Sequence, residues 1–381
     1  MRSAFILILF LALYTMLPAQ TCTVQLKYDI PSDCKGNVMT MKHDAQGKDF
    51  LYVACKDAGL KIYSLTSSSA SLVKTIPASA LHNLHVMSLS QQGNYLYLAL
   101  GNSFAKAVQS PGMAIVDVSL PAQAAVAAVW SDPESKCGAG IVESDGQYAY
   151  LGAMSKGLMI FDVGDKKAPK LVSQLIPDLK FPEVKYDAKK INARGMALRD
   201  DKVYLCYDAG GLRVIDVKDK KNPRETGKYS NPAMNGKPRA YNNIVLDDTL
   251  AYVAVDYCGI EVISIKEPAA LKLVHWWNPW KCEESGMKWF KSDGHCNEIV
   301  MDHKSKLLFV STGKSDMYVL SVKDPLAPGI MCVYGGIANE MGTWGVSRCG
   351  NEVYLSYICT LGIPFKSNWS GVKVLKYEYK P

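Results

Sequence analysis

Short apolar or alternating runs, parted by Gly, Asp, Asn and Pro, follow one another along the chain. In residues 195–229 they read GMAL, VYLCY, LRVIDV and RETGKY. β-Branched and aromatic residues dominate them, and the period-two alternation predicts strands buried on one or both faces. No apolar stripe of helical period and useful length is present, which argues against a helical solenoid.

The phrase VYLCYDAGGLRVIDV, residues 203–217, recurs six more times. Its glycine and its Ile or Val fall at Gly59 and Ile62, Gly112 and Ile115, Gly157 and Ile160, Gly211 and Val214, Gly259 and Val262, and Gly371 and Val374. A further copy has Asp316 in place of the glycine and ends at Val319. An aromatic precedes each copy: Tyr52, Tyr97, Tyr150, Tyr204, Tyr252, Phe309 and Tyr354. The glycine opens a third strand where the chain turns tightly. Two residues after the Ile or Val, an Asp such as Asp117, Asp162 or Asp216 starts the next turn.

A four-stranded unit of ~45–55 residues cannot bury both faces alone, whereas seven packed radially can. The fold class predicted is therefore all-β: a seven-bladed β-propeller of four-stranded antiparallel sheets. The last unit lacks its outermost strand, and residues 23–30 resemble one, so the N-terminal strand is predicted to complete blade seven and remove an open edge.

Residues 1–20 read as a secretory signal peptide: Arg2, an apolar core too short to span a bilayer, and a small-residue exit at Ala19. Residues 21–381 then form one propeller domain, with no membrane span after cleavage. Eleven cysteines suit an oxidising compartment, and the odd count leaves at least one thiol unpaired. Cys22 with Cys34, and Cys282 with Cys296, are the plausible bridges. No CxxC pair supports a redox role. The net charge of +7 is spread along the chain without a basic tract interleaved with aromatics, so no nucleic-acid partner is expected.

GLRVIDVKDKKNP and GLMIFDVGDKKAP resemble the LVIVD repeat of secreted and cell-surface proteins. The resemblance implies a β-propeller and is nearly silent on function. The missing glycine at Asp316 and several long excursions depart from the pattern.

Propeller topology sorts those excursions. Turns joining strands one and two, and three and four, are mostly short (RDDK, SDGQ, LDDT). Residues 101–111, 177–192, 230–241, 278–296 and 359–370 all fall on the other face, where binding residues are expected. Trp280 and Trp289 offer aromatic contacts there. Lys189, Lys190, Arg194, Lys237, Arg239 and Tyr241 offer a basic patch suited to an acidic glycan. Residues that start each innermost strand should ring the channel mouth: Asn37, His85, Asn242, Asn243, Asn297, Glu298 and Trp344. Their oxygens could hold Ca²⁺. The spacing of His295 and His303 matches no zinc motif.

The resulting expectation is a secreted, periplasmic or cell-surface monomer. It binds a glycan or surface protein on its loop-rich face, without catalysis and without a cofactor. Two alternatives stand beside it: a calcium-dependent, lactonase-like hydrolase at the channel mouth, and a structural module of an envelope assembly.

Overall fold

Seven four-stranded antiparallel sheets, each in simple up-and-down order, account for the strands of the computed structural model. It describes residues 21–32, 34, 37–104, 107–183, 191–284, 292–339, 341–358 and 369–380. The fourth blade shows the plan. Its strands are Gly195–Arg199, Lys202–Cys206, Leu212–Asp216 and Arg224–Tyr229, from the axis outward.

The recurring aromatic is the wedge between blades. All seven are buried. Tyr52 of blade one, for instance, packs with Val86, Leu89, Leu96 and Leu98 of blade two. An aromatic at this place therefore seals one sheet to the next. Three of the phenols are satisfied by an acid at the strand one–two turn: Tyr52 donates to Asp44, Tyr150 to Asp145 and Tyr354 to Glu352.

The glycine signature has a direct steric cause. Gly211 has φ +85, and a Cβ there would lie 2.1 Å from the Tyr229 carbonyl oxygen. Asp316 adopts φ 56 in the copy that lacks the glycine. Its buried carboxylate accepts from the Gly336 N–H and the Asn339 amide, which hold the residue in this left-handed conformation. The turn acids act as expected: Asp117, Asp162 and Asp216 accept from the backbone N–H two residues on.

In blades one to six the third and fourth strands share an irregularity immediately after the Ile or Val of the motif, as at Val214/Ile215. Blade seven has it at Leu26/Tyr28, opposite Val374. A bulge at one fixed place raises the local twist equally in every blade.

Strand Thr21–Pro31 pairs antiparallel with Gly371–Lys380, from Thr21 opposite Lys380 to Pro31 opposite Gly371. The N-terminal strand thus closes blade seven, and the ring has no gap.

The cysteine pairing differs from expectation. The bridges are Cys22–Cys332, Cys34–Cys55 and Cys258–Cys282. Cys22 is the second residue of strand Thr21–Pro31 and Cys34 lies beyond its far end, so the extended run separates them by roughly 30 Å at ~3.3 Å per residue. Cys22 instead reaches Cys332 on the outermost strand of blade six, Gly329–Tyr334. Cys282 meets Cys258, and Cys296 is a buried thiol whose N–H bonds the Asp256 carbonyl. Burial pushes the free Cys137 thiol up to about 11. No helix among the described residues is long and apolar enough to cross a membrane. Residues 1–20, the expected signal peptide, lie outside the described residues.

Candidate functional site at the channel mouth

At four of the blade junctions a backbone bridge joins one blade to the next on the loop-rich face. Lys56 pairs with Val86, Met154 with Ala193, Asp208 with Tyr241, and Asp256 with Cys296. The first residue of each pair lies four positions after the blade aromatic and has positive φ, between 39 and 52. Non-glycine residues take this conformation only where the surroundings fix it. The geometry brings two buried acids, Asp208 and Asp256, toward the mouth. Asp208 lies 3.8 Å from Arg194 and accepts from the Asn192 amide. Asp256 lies 2.5 Å from His295.

The long excursions are pegged at their bases. The fully buried Arg213 donates to the carbonyls of Asp178, Phe181 and Gly210, ion-pairs with Glu225, and lies 4.9 Å from the Phe181 ring centre. It holds the start of the 177–192 link. Glu261, at the equivalent place in blade five, accepts from Asn231 and Tyr241 and holds the 230–241 link. Burial pushes its carboxyl up to about 7, against the pull of those two donors and of Arg239. The Cys258–Cys282 bridge and the Trp276 indole, which donates to the Cys258 carbonyl, hold the 278–296 link. Gln109 accepts from the His85 and Asn102 N–H groups and pins the 101–111 excursion.

Between these links lies a small cavity of about 50 Å³, open to solvent. Register places one residue of each blade at its outer ring: Met39, Met87, Gly140, Arg194, Asn242, Asn297 and Trp344. The ring is two-sided. Arg194, Asn242 and Asn297 form a polar arc on blades four to six, while Trp344, Met39 and Met87 form an apolar arc on blades seven, one and two. Ser88, Asn243 and Glu298 line the next layer. Glu298 Oε2 accepts from Thr40 and the Val346 N–H. Burial pushes its carboxyl above the usual range, with Lys42, Thr40 and the Val346 amide pulling the other way. One layer deeper, burial pushes Glu143 up to about 7, again opposed by Lys42. Phe104 reaches over from the 101–111 excursion and lies 5.0 Å from the Arg194 guanidinium.

Five of the seven expected mouth residues therefore converge: Asn242, Asn243, Asn297, Glu298 and Trp344. Arg194 joins them from the expected basic patch. Asn37 and His85 stand outside the cavity; Asn37 bridges Ile358, and burial holds His85 below the usual imidazole range. The basic patch is corrected in two places. Arg239 is buried and donates to the carbonyls of Ala209 and Met234, and Tyr241 is buried against Glu261. Both are anchors rather than exposed contacts, because the 230–241 link folds back under the face. Lys237 donates to the Glu283 carbonyl. Trp280 is half-buried against Trp277 and Tyr318. Lys189, Lys190 and Trp289 lie outside the described residues.

Sequence reasoning missed Asp208, Asp256, Arg213, Glu261 and Glu143. A signal existed for four of them. The two Asp share one place after the blade aromatic, and Arg213 and Glu261 are charges inside an otherwise apolar third strand. Among the described residues no three His, Cys, Asp or Glu side chains converge as a metal-ligand set.

The LVIVD repeat profile matches residues 85–127 and 139–175, which span most of blade two and all of blade three. No curated protein matches. Among solved structures, a chain of "Crystal Structure of Mitotic Checkpoint Complex" is 13% identical with a TM-score of 0.60, covering 99% of this chain and 98% of that one. "Crystal Structure Of The C-Terminal WD40 Domain Of Sif2" is 10% identical with a TM-score of 0.57, covering 93% and 98%. At these identities the likeness is one of fold. The chain is a seven-bladed β-propeller, two segments of which match the LVIVD repeat.

Proposed function

We propose that this propeller is an exported binding protein that receives a glycan or a surface-protein partner on its loop-rich face, at the channel mouth, without chemistry. The observation that carries this reading is the cavity rimmed by Arg194, Asn242, Asn297 and Trp344, around which the long links are pegged in place. Preorganised loops lose little entropy on binding. The three disulfides among the described residues suit an oxidising compartment. The buried acids at the mouth support binding over hydrolysis, because Asp208 and Asp256 are each committed to a cationic or imidazole neighbour. The test is a screen of immobilised glycans and purified surface proteins with the wild type and Arg194→Ala. Loss of a wild-type signal in the variant is expected. A signal equal in both would place binding elsewhere.

A second reading has its own observation. Leu26, Leu72, Leu171, Leu273, Ile330 and Val333 are exposed along the outermost strands. An apolar rim of this kind suits a structural module packed into an envelope assembly. Cross-linking of the intact envelope, with cysteines placed at Leu72 and Leu273, tests it: neighbours captured at these rim positions support the module, and none captured there opposes it.

A further inference from the structure

We propose that the short-turn face of the disc, opposite the channel mouth, lies flat on an anionic lipid surface. The turns that join strands three and four reach this face at its rim, and they differ in kind from blade to blade. In blades three and four they read GDKKAPK, residues 164–170, and KDKKNPR, residues 218–224. Together these hold seven Lys or Arg against two Asp, a net charge of +5. The blades touch here: Ser173 of blade three donates to the Lys220 carbonyl of blade four.

Within each turn the charges have separate tasks. Asp165 and Asp219 accept from the Lys167 and Lys221 N–H groups, so both carboxylates fold back on their own loops. The first lysine of each pair is a staple. Lys166 donates to the Gly146 and Val163 carbonyls, and Lys220 pairs with Asp201 and lies over the Tyr148 ring. The second lysine is not. Lys167 and Lys221, with Lys218 beside them, are exposed and make no side-chain hydrogen bond or ion pair among the described residues. Repetition of the turn thus sets two adjacent, outward cations at one position.

The second observation is apolar. Leu326 and Leu120 are 65% and 62% exposed, more than any other large apolar side chain among the described residues. Both stand in turns of this same set, in blades six and two. Proline stiffens each turn: Pro121 follows Leu120 and opens a short 3-10 turn, and Pro325 and Pro328 flank Leu326. The Leu326 N–H also bonds the Asp324 carboxylate. Leucines held outward by rigid turns suit the acyl boundary of a bilayer. The three groups stand around the axis, at blade two, at blades three and four, and at blade six, so together they define a plane. Acidic headgroups complement the lysines, and acyl chains complement the leucines. A soluble polyanion matches only the lysines, which selects the lipid. Docked this way, the disc turns its loop-rich face outward.

The experiment floats the full chain with vesicles of phosphatidylcholine alone and of phosphatidylcholine mixed equally with phosphatidylglycerol, at low and high salt, with heparin as a soluble competitor. Binding to the acidic vesicles alone, weakened by salt, is expected. Lys167→Glu with Lys221→Glu should weaken it by about tenfold or more. Leu120→Ser with Leu326→Ser should weaken it several-fold. Melting temperatures check that the variants fold; Lys→Gln and Leu→Ala at the same positions replace any that do not. No binding to acidic vesicles, or binding that either pair of substitutions leaves intact, would overturn the proposal. Loss with the lysine pair alone, together with tight binding of heparin, would reassign the face to a soluble polyanion.

Discussion

The Tyr241 hydroxyl donates to Glu261 Oε2 across 2.7 Å, and neither side chain reaches solvent. The pair joins the first strand of blade five to its third and fixes the link that borders the cavity. Tyr241→Phe removes one donor from a buried carboxyl and should cost about 1–3 kcal/mol of stability. Denaturant unfolding measures it; a midpoint equal to the wild type would mean the pair is idle.

Arg213 occupies the matching place one blade earlier. Arg213→Ala leaves Glu225 and three carbonyls without their cation and should cost about 3–5 kcal/mol. Limited proteolysis should then cut first within residues 177–192. Cleavage at a different link would show that Arg213 does not anchor this one.

The pH dependence has two arms. Burial raises Glu143 and Glu261 to about 7 from an ordinary 4.5. The folded chain binds more protons than the unfolded one between these values, so their contribution to stability falls as pH rises through that window and is level above it. Asp44, Asp247 and Asp302 behave oppositely. Burial pushes each up, but hydrogen bonds from Tyr52 and Gln91, from Lys306 and His303, and from Tyr377 with the Arg348 cation beside it outweigh it. These carboxyls sit below 3.8, and the stability they give is complete above 3.8 and lost as pH falls through their folded values. Glu143→Gln should flatten part of the first arm. Melting curves of both proteins between about pH 5 and 8 decide it; parallel curves would show that Glu143 does not contribute.

Cys22→Ser with Cys332→Ser unties the rim of blade seven from that of blade six. The loss should be about 2–5 kcal/mol. Denaturant melts of the wild type with and without reductant, beside the double variant, provide the check. A double variant as stable as the oxidised wild type would show that the strand pairing alone holds the seam.

Trp280→Ala should lower the melting temperature as well as any binding, since the ring packs on Trp277 and Tyr318. A cost of about 2–4 kcal/mol fits a half-buried tryptophan. Unchanged thermal stability would return Trp280 to the role of a free contact.

The architecture was legible because the same steric problem is solved seven times. Each blade needs a large ring opposite its innermost strand and a tight turn into its third, so Tyr204 and Gly211 recur in kind. The mouth was legible in part for the same reason: Asn242, Asn297 and Trp344 fall at one register position. What stayed hidden depends on side-chain direction. Arg239 and Tyr241 look like surface residues in a basic loop, yet the backbone turns them inward to Met234 and Glu261. Cys22 and Cys34 are near neighbours in the chain, and the rigid strand between them keeps them apart.

Strand Thr21–Pro31 finds its partner some 350 positions downstream, in Gly371–Lys380. A loop of that length closes late, because its entropy must be overcome before the pairing rewards it. Six sectors can assemble from local contacts as the polypeptide emerges, but the seventh waits for the Gly371–Lys380 segment to be made. Until then the first strand is an unpaired template open to strangers, so premature termination should yield not a smaller disc but a sticky, protease-sensitive fragment.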